Sequence, residues 1–125
     1  MSTSNLPQSQ LIRVTIENGS KPIKLEEILF IKAHDKHSII CFTDYETLET
    51  NHLLKWYEEK LPDNSFCRCH DSFIVSFHHV ECVSGNSFLM QKSFTQKAQY
   101  VPISEKKREA THKSYDEFIR NNNFH

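Results

Sequence analysis

The sequence predicts a mainly β domain with one helix in mid-chain and one at the C-terminus, and three observations carry that prediction. Short runs rich in β-branched and aromatic residues recur along the chain, separated by polar turn residues. Apolar residues at helical spacing occur in two places, within 52–61 and 104–120. With only two Gly in the chain, the turns rely on Asn, Asp, Ser and Lys. At 125 residues the chain suits one domain with a real core.

Residues 1–10 read as a flexible N-terminal tail and 11–121 as the folded domain. Leu11-Ile12-Arg13-Val14-Thr15-Ile16 is strand-like, and Asn18-Gly19-Ser20 supplies a turn. Residues 28–33 and 38–43 read as two further strands joined by the polar hairpin His34-Asp35-Lys36-His37. Asp44-Tyr45 turns the chain into a short strand near Thr47-Leu48. Asn51 then caps a helix over 52–61, with Leu53, Leu54, Trp56, Tyr57 and Leu61 as its apolar residues and Pro62 as its stop. Strands follow at 65–69, 73–75, 80–83 and 87–91, the last pair joined by Ser84-Gly85-Asn86, and another at 95–101. Ser104 caps a last helix running towards Arg120, with Ala110, Tyr115, Phe118 and Ile119 facing inward.

Composition excludes several classes. No stretch approaches the ~18 apolar residues of a membrane span, and the polar start lacks the pattern of an export signal. A cytoplasmic protein with no membrane partner is expected. Four Cys without an export signal read as thiols, not a disulfide framework. Cys67-Arg68-Cys69-His70 with His78-His79 nearby invites a metal reading, but no second ligand pair stands at finger-like spacing, so no metal and no other cofactor are expected. Catalysis is not expected either. Cys69, His70 and Asp71 are adjacent, which on a strand splays them to opposite faces, and no nucleophile elbow, phosphate-binding Gly loop or paired-carboxylate signature is present. No small-molecule substrate is implied.

The formal net charge is −1, but its sign reverses along the chain. Residues 44–63 hold six acids against two bases, and residues 92–113 hold six bases against two acids. The basic stretch is the one place where a polyanion is favoured.

The most informative run is Phe66-Cys67-Arg68-Cys69-His70-Asp71-Ser72-Phe73-Ile74-Val75, a strand pattern broken by a polar bend and then resumed. Burying that cluster without partners would cost about 1–3 kcal/mol per group, so the bend is expected to face water or a ligand. Phe66, Arg68, His70, Ser72, Phe73, Ile74 and Val75 resemble the signature segment of the LytTR family of bacterial DNA-binding domains. Glu27-Ile28-Leu29-Phe30-Ile31-Lys32-Ala33 upstream and Tyr100-Val101-Pro102-Ile103-Ser104 downstream are similar to two further family stretches, so the likeness spans about residues 11–113. It implies several small, mostly antiparallel sheets and a non-catalytic transcriptional regulator that reads double-stranded DNA with loops, not with a helix-turn-helix. It also implies two copies on repeated sites, as a homodimer. Family members often follow a phosphorylation-receiver domain; here a stand-alone protein or a fragment is expected.

Three loops are the candidate DNA contacts. Lys36 and His37 lie in the first, and the resemblance puts His37 where base edges are read. The second holds His70, Asp71 and Ser72, with Asp71 in place of the usual Arg or Asn; an Asp accepts from cytosine N4 but repels phosphate. The third is the helix start Ser104-Glu105-Lys106-Lys107-Arg108, whose free N–H groups suit a phosphate and whose Lys106, Lys107 and Arg108 suit backbone contact, with Glu105 where Arg is frequent. Ser76 replaces a usual Asn. Arg68 reads as a structural ion pair anchoring the bend. Two rivals stand beside this reading. One is a protein-interaction or sensory domain on the same fold with weak or lost DNA binding, motivated by Asp71, Glu105 and the neutral balance. The other is a metal- or thiol-sensing regulator, resting on Cys67, Cys69 and Cys82.

Overall fold

The computed structural model describes residues 10–91 and 98–122. Among them run β1 (Leu11–Ile16), β2 (Gly19–Lys24), β3 (Ile28–His34), β4 (His37–Phe42), β5 (Thr47–Thr50), α1 (Leu54–Lys60), β6 (Phe66–His70), β7 (Phe73–Ser76), β8 (Val80–Val83), β9 (Ser87–Met90), β10 (Tyr100–Pro102) and α2 (Arg108–Asn121). Short 3-10 turns lie at Leu25–Glu27, Phe77–His79 and Glu105–Lys107.

The strands pair antiparallel in three sheets: β1 with β2, a three-stranded sheet ordered β10-β9-β8, and a five-stranded sheet ordered β5-β4-β3-β7-β6. The five-stranded sheet is covered on both faces. Ile31, Ile40, Phe66 and Ile74 pack with Val14 and Ile23 of the first hairpin and Leu54 and Tyr57 of α1. Phe30, Cys41, Cys69 and Val75 pack instead with Phe88, Met90, Val101 and Phe118 of the small sheet and α2. Burial on both faces explains the unbroken apolar run Ile28-Leu29-Phe30-Ile31, which a half-solvated strand would interrupt with polar residues. A slip in the β3–β4 register between Ile28 and Phe30 lets Ile28 and Ile31 serve one core while Leu29 and Phe30 serve the other.

The structure departs from the sequence-based expectations at four places. β2 is a strand where only a turn was expected. Gly19 opens it at φ 145, a conformation few side chains tolerate, and Pro22 sits within it, as an edge strand allows. The first helix starts at Leu54, with Leu53 and not Asn51 in the capping position, because the Asn51 amide donates to the Thr15 carbonyl and ties the chain to β1. Leu53 is exposed rather than packed. Ser104 likewise makes no side-chain cap: a 3-10 turn over Glu105–Lys107 delays α2 until Arg108 and shifts its inward face. Thr111, Tyr115 and Phe118, spaced at i, i+4 and i+7, pack inward, whereas Ala110 and Ile119 are exposed. Of the strand expected over 95–101, Tyr100–Pro102 forms β10 and residues 95–97 lie outside the described residues.

Candidate nucleic-acid interface

The topology gathers the three polar loops at one end of the five-stranded sheet. β3 and β4 join through Asp35-Lys36, flanked by the pair His34–His37, and Asp35 takes the positive φ of 54 that a turn this tight demands. β6 and β7 join through Asp71-Ser72, flanked by the pair His70–Phe73. β7 lies beside β3, and the Ala33 amide donates to the Ser72 carbonyl at 2.8 Å, so the two turns sit side by side. The third loop is tied on by the Ser104 amide, which donates to the Cys69 carbonyl at 2.9 Å, and by Lys106 Nζ, 3.7 Å from Asp71 Oδ2.

The broken pattern of the signature run has a structural cause. Between Cys67, paired with Val75, and His70, paired with Phe73, β6 carries one residue more than β7. Such a bulge bends the strand and re-aims its side chains. Cys69 becomes fully buried, while Arg68 spans two partners: Nη1 lies 2.8 Å from Glu58 Oε1 on α1, and Nη2 donates to the Asp71 carbonyl at 2.7 Å. The expected anchoring role of Arg68 is therefore what the structure shows, with Glu58 as the partner that sequence reasoning did not name.

Lys36, Lys106 and Asp71 are exposed, whereas His37, His70, Ser72, Ser104 and Lys107 are part-buried. His37 Nδ1 lies 3.0 Å from Glu49 Oε2 on β5. His70 Nδ1 accepts from the Ser72 amide at 3.0 Å, and its ring meets Phe73 edge-on. The Ser104 hydroxyl is buried without a hydrogen-bond partner, so Ser104 serves this loop through its backbone. The expected run of free helix-start amides is also reduced, since those of Ser104, Lys107 and Arg108 donate to Cys69, Ser104 and Glu105. Cationic chemistry at this loop falls to the side chains of Lys106, Lys107 and Arg108.

Three of the four thiols are poor candidates for chemistry. All four are unpaired. Burial pushes the Cys69 thiol up to about 12 and, with Asp44 nearby, the Cys41 thiol up to about 11. Burial also raises Cys67, whose sulfur lies 4.0 Å from the Thr111 hydroxyl. Cys82 is exposed. Among the described residues no group of three or more His, Cys, Asp or Glu is arranged to hold a metal ion, and no helix is long and apolar enough to cross a membrane.

The chain matches the LytTr DNA-binding domain family over residues 18–115. No curated protein matches it. Among solved structures it is similar to the LytTr DNA-binding domain of a protein described as a methyl-accepting/DNA response regulator from Bacillus cereus, with a TM-score of 0.67 and 24% identity over 86% of this chain and 97% of that one.

Proposed function

The chain belongs to the LytTr DNA-binding domain family, and on that premise we propose that it binds double-stranded DNA sequence-specifically and regulates transcription without catalysing a reaction. The observation that carries this reading is the convergence of three polar loops, distant in sequence, at one end of a sheet whose faces are both covered. Lys36, Lys106 and Lys107 hold phosphates. His37, His70, Asp71 and Ser72 reach base edges, with Asp71 suited to the cytosine amino group. Ser104 positions the third loop through the hydrogen bond that its backbone amide donates to the Cys69 carbonyl. Two copies occupy repeated sites, in the cytoplasm.

A net charge of −1 is no objection, because phosphate contact depends on local charge and Lys36, Lys106 and Lys107 stand on two of the three loops. Thiol sensing loses ground because burial disfavours the thiolates of Cys41, Cys67 and Cys69.

The test is a binding titration across a salt series, with a selected duplex and a scrambled one. Three lysine–phosphate contacts give a slope of log K on log salt near −2.7, so a fourfold rise in salt weakens binding about fortyfold. Lys106→Ala or Lys107→Ala flattens the slope by about one unit on both duplexes. His37→Ala costs about 1–3 kcal/mol on the selected duplex alone and leaves the slope unchanged. If neither duplex binds better than about 100 μM near physiological salt, the DNA reading is wrong and the interaction-domain reading leads.

A further inference from the structure

The two histidines of the interface are held at the same ring atom by opposite chemistry. The partner of His37 Nδ1 is the Glu49 carboxylate at 3.0 Å, which can only accept a proton. The partner of His70 Nδ1 is the Ser72 backbone amide at 3.0 Å, which can only donate one. A neutral imidazole carries a single ring proton. In that neutral form His37 holds its proton on Nδ1 and leaves Nε2 bare, while His70 leaves Nδ1 bare and carries its proton on Nε2. Among the described residues neither Nε2 has a hydrogen-bond partner.

Resting on the DNA-binding reading above, we propose that Glu49 and the Ser72 amide set these rings to opposite polarity, so that His37 reads a base amine and His70 reads a base acceptor. His37 Nε2 accepts from adenine N6 or cytosine N4, and His70 Nε2–H donates to N7 or O6 of guanine. Glu49 is a positioning residue: it touches no base but decides which hydrogen-bond sign His37 shows. β4 and β6, which carry the two rings, are separated by three strand spacings in the sheet order. That is about 14 Å, or about four base-pair steps when the sheet end lies along the groove.

Glu49 also brings a negative charge to a surface that meets phosphates, and two substitutions separate its effects. Glu49→Gln keeps an oxygen that accepts from Nδ1–H but removes the charge, so affinity rises several-fold for selected and scrambled duplexes alike, with discrimination retained. Glu49→Ala frees the ring to exchange tautomers, and discrimination between the two duplexes falls about tenfold. Replacing the amine-bearing base read by His37 with an analogue lacking the amine weakens the wild type but not Glu49→Ala.

The deciding measurement is the nitrogen-15 spectrum of the imidazole rings in the DNA-free protein at alkaline pH. The expected result is His37 with its proton on Nδ1 and His70 with its proton on Nε2. His37 protonated on Nε2, or a Glu49→Ala protein with full discrimination, overturns the proposal. Failure of the wild type to bind any duplex overturns the DNA reading and the base preferences with it, while the ring spectra still decide the polarity.

Discussion

Arg68→Ala isolates what the bulge contributes. The guanidinium bridges Glu58 on α1 and the Asp71 carbonyl in the bend, at 2.8 and 2.7 Å. Its side chain is 27% exposed and that of Glu58 42%, so water screens the ion pair, and about 0.5–1 kcal/mol is the appropriate value for it. The bond to the Asp71 carbonyl adds about 1–1.5 kcal/mol. Against this, Arg68 Nε is buried without a partner, and its removal returns part of a desolvation cost of about 1 kcal/mol. The net expected loss is about 1–2 kcal/mol, or a melting temperature lower by about 4–10 °C for a domain of this size. Urea unfolding of wild type, Arg68→Ala, Glu58→Ala and the double variant is the assay. The cycle should give a coupling energy of about 0.5–1 kcal/mol. Arg68→Lys restores little, because one ammonium does not span both partners as a fork does. A loss below about 0.3 kcal/mol, or additive single variants, would show that the bridge does not hold the bend.

A thiol reagent under native conditions should modify exposed Cys82 and spare Cys41 and Cys69, whose thiols stand near 11 and 12, with all four reacting after unfolding; native labelling of Cys69 at the rate of Cys82 would contradict its burial. Burial lowers His52 and His78 from the ordinary value of 6.5, and His52 Nε2 accepts from the Thr15 amide, which requires a neutral ring. The unfolded chain therefore takes up protons first, and stability is lost as pH falls from 6.5 toward the lowered folded values. Urea midpoints that stay level between neutrality and about pH 5 would refute this, and His52→Gln should weaken the dependence. Asp71→Ala should leave stability within about 1 kcal/mol of wild type, since the residue is exposed and its contact with Lys106 is 3.7 Å long; a loss of several kcal/mol, read from the same urea curves, would mean the bend is structural.

Most strands were legible because alternating or continuous apolar runs report burial directly. β2 was not, because Lys21 and Pro22 argue against a strand and Ile23 is its only buried residue. The inward face of α2 was misread at Ala110 and Ile119 because the 3-10 turn after Ser104 looks, in sequence, like a first helical turn. The polar bend and the role of Arg68 were readable from the break in pattern. The convergence of the loops was not, because it depends on β7 slotting between β3 and β6. Glu49 left a readable but register-dependent signal. It pairs with Ile39, which places it diagonally from His37 on one face of the sheet. Glu58 left none, since α1 meets the bulge only through tertiary packing.

The coverage of the five-stranded sheet on both faces has an evolutionary consequence. The residues that make the domain fold sit in two cores along the strands, and among those proposed to meet DNA the exposed Lys36, Asp71 and Lys106 lie in turns outside both cores. Surface changes of this kind usually alter stability by no more than about 0.5 kcal/mol. Turn residues such as Lys36 and Asp71 can therefore be exchanged one at a time, with every intermediate still folded. A lineage carrying this scaffold can change such turn residues without passing through an unstable protein.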